Sequence, residues 1–366
     1  MVNFFVILIC ISFYSIFLLI IYTFISILKY KFTKKSFLLP FIPIITTILL
    51  LCIANIISTG LYTFINYILM IIFGFCLYLF FSCIIYLLIS RKFTIKRLNA
   101  IIALLSIPFI ITLYGVINVN VIRSETITLH NEHLAQNTVI AHLSDIHIGP
   151  LFQKGTIQRI VSKVNEMNPD IIVITGDMVD GHIDINEEWL EPLTAVQKPM
   201  LFVSGNHEKY FGKERFIKML KQHTHITHLS NSTVTYNGIN FIGVDYEYNL
   251  KDTLHQVMKE DTSLVKENAV NVLLNHVPLL KAKELEQFNV FLNLAGHTHA
   301  GQFFPLQILV YLGNVCYNGL YTHNDKHYVY VSSGIGANTI PMRVLSKSKI
   351  VKVSLINPNN NNNIIS

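Results

Sequence analysis

Acidic residues are missing from the first third of this 366-residue chain: no Asp or Glu precedes Glu125, and all 15 histidines fall after residue 129. Carboxylates and imidazoles are the groups from which proton and cation relays inside a membrane are built, so none is visible in that region. Charge is scarce throughout. Asp, Glu, Lys and Arg make up 14% of the chain, against roughly 25% in soluble domains, which excludes a uniformly soluble protein. Five cysteines exclude a disulfide-rich scaffold. Four of them, Cys10, Cys52, Cys76 and Cys83, lie in apolar stretches and Cys316 stands alone, so cysteine usage does not decide the compartment. With 52% hydrophobic residues there is enough apolar side chain to bury that disorder is excluded as the main state.

What the first third does contain is basic. Residues 1–118 hold eight Lys and Arg, clustered as Lys29, Lys31, Lys34, Lys35 and as Arg91, Lys92, Lys96, Arg97. The remainder has 20 basic against 22 acidic residues, so the formal net charge of +6 belongs wholly to the N-terminal part. Around the clusters run four uncharged apolar stretches, 3–28, 37–58, 61–90 and 99–119. Each is long enough for a hydrocarbon core of ~30 Å, which takes about 20 helical residues. They predict a four-helix transmembrane domain over residues 1–120. The short Thr59-Gly60 junction predicts an antiparallel hairpin of spans two and three. A cleaved signal peptide explains only the first stretch and lacks its basic n-region. Both basic clusters lie in alternate loops, so the positive-inside rule predicts a multi-pass protein of the cell membrane, with the N-terminus and everything after residue 120 extracytoplasmic.

From about residue 137 apolar runs alternate with amphipathic segments. TVIAHLS (138–144), DIIVITG (170–176) and PMLFVSG (199–205) read as buried strands. Helices are expected at 156–168, weakly at 186–196, and at 213–222. Further strands are expected at 233–236, 239–244, 270–275, 290–295, 327–332 and 349–355. This is α/β patterning, with a late strand cluster that predicts a second sheet. The domain is placed at 121–356, followed by a disordered Asn-rich tail, 357–366.

Ligands of open α/β sheets sit beyond the carboxyl ends of the strands. Five such ends carry metal-ligand residue types: Asp145 and His147; Asp177 and Asp180; Asn206, His207 and Glu208; Asn275 and His276; His297 and His299. Singly, each has a plain structural reading as a turn or a hydrogen-bonded strand-end residue. Repetition at five sheet exits is what singles them out. Mixed carboxylate oxygen and imidazole nitrogen suit Mn, Fe or Zn. The ligands are too many for one tetrahedral centre, and two divalent ions about 3.5–4 Å apart would use them all.

The ordered set D-x-H, G-D-x-x-D, G-N-H-E, N-H, G-H-x-H resembles the calcineurin-like metallophosphoesterase superfamily. The longer forms LSDIHIG, GNHEKY, GHTHAGQ and VSSGIGANTIPMR look like its bacterial YkuE/YaeI-type branch. The resemblance covers about residues 138–355 and implies a four-layer αββα sandwich. It also implies a metal-dependent phosphodiesterase or phosphatase, in which a metal-bridging hydroxide attacks phosphorus. Asp145, His147 and His299 would hold the first ion, Asn206, His276 and His297 the second, and Asp177 would bridge them. His207 would protonate the leaving oxygen, oriented by a hydrogen bond to Asp180. Ala300 stands where many relatives have Gly, and Ser348-Lys349-Ile350 replaces a common Pro-Glu-Ile-like stretch.

The substrate expectation is a phosphomonoester or phosphodiester, with a lipid-linked one as an option. FFPLQILVYLGNVCYNGLY (303–321) is unusually apolar and reads either as a buried strand plus loop or as a lip facing the bilayer. No nucleic-acid partner is expected, because the domain offers no basic surface to track phosphates. Two other classes stand beside the enzyme: a transport or sensing protein regulated by its phosphoesterase domain, and a catalytically inactive metal-binding module. The spans show no relay residues, and a binding-only module has no use for His207.

Overall fold

The computed structural model of the protein describes residues 4–29, 33, 36, 38–46, 59–181, 185–246, 256–259 and 261–360. The chain divides into two units, 1–117 with 339–342, and 118–338 with 343–366.

The first unit is built from α1 (Phe4–Leu28), α2 (Thr59–Ile89) and α3 (Arg97–Val119), which runs into the second unit at its last two residues. Ile27, Leu79, Cys83, Ala100 and Leu104 form its buried core. The outward positions remain apolar, with Ile72, Ile85, Phe109 and Ile110 exposed. Two stretches among the described residues, Phe64–Ile89 and Arg97–Val119, are long and apolar enough to cross a membrane, and Ser15–Leu28 is a shorter apolar helix. Expected span 37–58 lies mostly outside the described residues, and the expected junction Thr59-Gly60 opens α2. The helices therefore establish two candidate spans, and a count of four goes beyond them.

The second unit contains two six-stranded sheets. Along the first lie β1 (Arg123–His130), β12 (Lys349–Ile356), β2 (Thr138–Leu143), β3 (Ile171–Thr175), β4 (Met200–Val203) and β5 (Ile226–His228), in that order. The second runs β10 (Gly319–His323), β11 (His327–Val331), β9 (Leu292–Ala295), β8 (Val270–Leu274), β7 (Ile239–Gly243) and β6 (Ser232–Tyr236). Strands β2 to β5 are mutually parallel, as are β7, β8, β9 and β11. Every residue of β3 (IIVIT) is buried, as expected of a parallel strand covered on both faces.

Period-two alternation sorts the side chains. Ile140, Val173 and Val203 meet Phe241, Val272 and Leu294 between the sheets. Ala141, Leu143, Ile172 and Ile174 point the other way, onto α4 (Lys154–Met167) and onto α6 (Lys213–His223), which follows the short α5 (Asn206–Phe211). Helix α4 buries Ile157, Ile160, Val161, Val164 and Met167, the stripe a 3.6-residue period dictates. It stops at Asn168, whose φ of 44° makes a left-handed cap.

Three elements depart from expectation. The helix expected at 186–196 is a 3₁₀ helix, Glu187–Ala195, with Pro192 inside it. On its outer face the second sheet is covered by loops and short 3₁₀ turns, Ala282–Glu284 and Glu286–Phe288 among them, more than by long helices. Segment 303–321 contains a helix, α7 (Leu306–Gly313), none of whose residues is buried.

Candidate metal centre

The loops leaving β2 and β3 continue to pair beyond the strands. Asp145 N–H donates to Gly176 O at 3.1 Å, His147 N–H to Asp177 O at 3.0 Å, and Asp180 N–H to Ile148 O at 2.9 Å. This extended pairing sets Asp145 and His147 beside Asp177. Asp145, His147, Asp177, His297 and His299 all have φ between 50° and 71°, the left-handed region uncommon for residues other than Gly. Such backbone strain is tolerated where surrounding structure over-determines it. Neighbouring glycines permit the close packing. A Cβ on Gly205 would lie 2.2 Å from Asp177 Oδ1, and one on Gly296 would lie 1.8 Å from Ser144 Oγ.

Two groups of donors result. In one, His147 Nε2 lies 3.0 Å from His299 Nε2, which is 3.4 Å from Asp145 Oδ1. In the other, His276 Nε2, His297 Nδ1 and Asn206 Oδ1 are mutually 3.1 Å apart. Asp177 stands between them, with Oδ2 3.1 Å from His276 Nε2 and 4.0 Å from His147 Nε2. Asp145 also ties the sheets together by accepting the His297 N–H at 3.0 Å and the Ser144 hydroxyl at 2.5 Å. All seven side chains expected as ligands thus come together. Asp145–His147–His299 and Asp177–His276–His297 each fit the spacing of a metal-binding group.

The donor set fits a cation. A proton bridges two lone pairs at once, whereas the second group turns three toward a common point. His276 Nδ1 donates to Thr175 O at 2.9 Å, which makes Nε2 the ring atom facing Asp177 and Asn206, the usual way a ring partner sets a ligand tautomer. Burial pushes His147 down to about 3 and His297 down to about 4, and holds His299 well below its ordinary value. These rings are neutral donors at neutral pH. His276 is the exception: burial opposes its charge, but the Asp177 carboxylate outweighs that and raises it to about 9. Asp177 is correspondingly held below the usual carboxylate range, since the surrounding histidines overcome its burial.

His207 lies just outside both groups, its Nε2 3.9 Å from Asp177 Oδ2. Its Nδ1 donates to Asp180 through the main-chain carbonyl oxygen. The Asp180 carboxylate lies 3.9 Å from His147 Nδ1.

Several supporting residues carry no role in the sequence reading. Glu208 is fully buried, and its carboxylate accepts the N–H groups of Asp177, Met178, Val179 and Gly205 at 2.6–3.1 Å. Its place in G-N-H-E is visible in sequence, but its four donors are not. Arg343, also fully buried, donates to Gly336 O, His299 O and the Ser346 hydroxyl, with Nη2 3.3 Å from His299 Nδ1. Asn338 Nδ2 is 3.3 Å from His207 Nε2, and Gln302 holds both main-chain groups of Asn338.

Comparison with known proteins places this geometry. Residues 138–301 match the family model of the calcineurin-like phosphoesterases. Those residues are a calcineurin-like phosphoesterase domain. The chain is 36% identical over 235 residues to an uncharacterized metallophosphoesterase of Helicobacter pylori, covering 63% of each. To a transmembrane protein with metallophosphoesterase domain from Danio rerio it is 38% identical over 228 residues, covering 58% of this chain and 52% of the relative. The metallophosphoesterase YkuE of Bacillus subtilis is 26% identical over 247 residues, with 62% and 85% covered. The match thus spans 63% of the length of the Helicobacter relative.

Proposed function

We propose that this protein is a membrane-anchored phosphoester hydrolase with two divalent ions. Asp145, His147 and His299 would hold one and Asn206, His276 and His297 the other, with the Asp177 carboxylate within reach of both. The convergence of seven donors from five sheet exits carries this reading. Mixed nitrogen and oxygen donors favour Mn, Fe or Zn. Such ions, when bound, polarise a phosphoryl oxygen and lower the pKa of water.

The chain's own side chains do the rest. With Nδ1 committed to Asp180, Nε2 of His207 is the atom from which a proton passes to the leaving oxygen. Asn338, 3.3 Å from that nitrogen, orients the ring. Glu208 gathers the amides of the Asp177 loop and of Gly205, fixing the bridging carboxylate against the Asn206 loop. Anchoring is supported by the two apolar helices and by relatives described as transmembrane proteins. A lipid-linked phosphoester is the substrate this anchoring favours, and the acidic balance of the second unit argues against nucleic acid.

The test is hydrolysis of p-nitrophenyl phosphate and bis(p-nitrophenyl) phosphate by the full chain in detergent, loaded in turn with Mn, Zn and Fe. Turnover should vanish with chelator and return with metal. Asp177→Ala should abolish it, and His207→Ala should lower kcat by about 10²–10⁴-fold. No turnover with any of the metals refutes the enzyme, and activity surviving Asp177→Ala refutes the site.

A further inference from the structure

Helix α7 has no buried residue, and Leu309, Tyr311 and Leu312 are 66%, 63% and 73% exposed. From Phe303 to Thr322 the chain carries no charged side chain. A helix facing water ordinarily presents polar residues on that side, and soluble surfaces rarely hold contiguous apolar patches of this kind. The concentration is specific. Among the described residues of the second unit, every large exposed hydrophobic side chain except Val121 and Tyr210 lies on segment 304–320 or at Leu345.

Segment 343–346 holds α7 and the last residues of α3. On one side it holds α7: Gln307 Nε2 donates to Val344 O at 3.1 Å, and Phe303 bridges to Val344. On the other it holds the start of the unit, where Asn118 Nδ2 donates to Arg343 O at 2.9 Å and to Ser346 O at 2.8 Å. Asn118 is a residue of α3 itself, so no linker separates the apolar helix from this anchorage. Leu345, 74% exposed, lies between the two attachments.

Helix α7 is also tied to the metal centre. A Cβ on Gly301 would lie 2.4 Å from Gln307 Cα. Tyr317 donates its hydroxyl to Ala300 O at 2.6 Å, accepts from Thr298 through its carbonyl, and meets Tyr311 edge-on. We infer that α7, with Phe304 and Leu345, is an interfacial helix seated in the headgroup–acyl boundary of the bilayer that α3 enters, beside the His297–His299 loop. Exposed apolar area with no charge to desolvate is what an interface binds, in proportion to the apolar area it buries. The inference rests on the anchoring reading above and is independent of catalysis.

The full chain, reconstituted in phosphatidylcholine nanodiscs, tests it. Trp189 is the one tryptophan; it is replaced by Phe and Leu312→Trp is introduced. Phosphatidylcholine brominated near the top of its acyl chains should remove most of the emission of the introduced indole and brominated chain ends much less, with the spectrum shifted to the blue. Trp189 in the unsubstituted chain should be quenched by neither. Tyr311→Trp, an aromatic-for-aromatic change, repeats the measurement with less perturbation. Solvent-like, unquenched emission from both positions overturns the seat while leaving the hydrolase reading intact. A chain that does not enter the discs overturns the anchoring and the seat together.

Discussion

His276 holds a proton that a metal ion must displace. Burial opposes charge on its ring, yet Asp177, 3.1 Å away, raises it to about 9, whereas His147 and His297 are already neutral by burial. Ligands bind metal in their deprotonated form, so uptake releases that proton. The sign follows directly. Below pH 9 the protonated form dominates and competes with the ion; above it the competition ends. Apparent affinity for Mn should therefore rise about tenfold per pH unit across the neutral range and level off near the raised pKa of His276. Titration calorimetry in two buffers of different ionisation enthalpy should show close to one proton released to buffer at neutral pH. A flat affinity and no proton release would remove His276 from the ligand set.

The elements that bring these residues together are strand ends, and Asp245 joins two of them. It follows β7 in the second sheet, yet its Oδ1 accepts the Ser204 N–H at 2.9 Å and lies 3.0 Å from His228 Nε2, while Lys213 Nζ is 3.3 Å from Oδ2. Ser204 opens the loop that carries Asn206 and His207. Asp245 is held below the usual carboxylate range, since bonds from His228 and Ser204 overcome its burial. A depressed carboxylate contributes stability above its unfolded pKa of about 3.9 and loses it as pH falls below that value. Asp245→Asn should cost about 1–3 kcal/mol at neutral pH, and the gap to the unsubstituted chain should narrow below pH ~4 in urea unfolding followed by fluorescence. A gap that stays constant with pH would show that the carboxylate charge has no part. Strands such as DIIVITG were legible because an uninterrupted apolar run stopped by Gly-Asp has few other meanings. Gln302, Asn338 and Arg343 were not, nor was the part Glu208 plays, since most of their partners are main-chain groups of distant loops. Segment 303–321 left two readings open because a buried strand with its loop and a lip facing the bilayer share one composition. Edge strand β1, half exposed and polar at alternate positions, lacks the apolar run that marks its neighbours.

At the scale of the molecule, the surplus of basic charge lies with the apolar helices, whereas every acidic residue lies in the phosphoesterase unit. The connector between α2 and α3 holds Arg91, Lys92 and Lys96, with Arg97 opening α3, while the residue that follows α3, Asn120, is uncharged. Cytoplasmic loops carry the excess of Lys and Arg, so the prediction is a cytoplasmic connector, with the far end of α3 and the unit it leads into on the opposite side of the membrane. The arrangement requires only that α3 crosses once, whatever the number of spans before it. Protease added to intact cells, or to spheroplasts where an outer membrane intervenes, should therefore digest the phosphoesterase unit. A tag placed between Arg91 and Lys96 should survive until the membrane is opened. Replacing Arg91, Lys92, Lys96 and Arg97 by Gln should weaken the bias and leave a protected fraction of the unit, because charge near the ends of a span sets its direction. Complete protection in the unsubstituted chain would place the phosphoesterase unit in the cytoplasm and reverse the orientation.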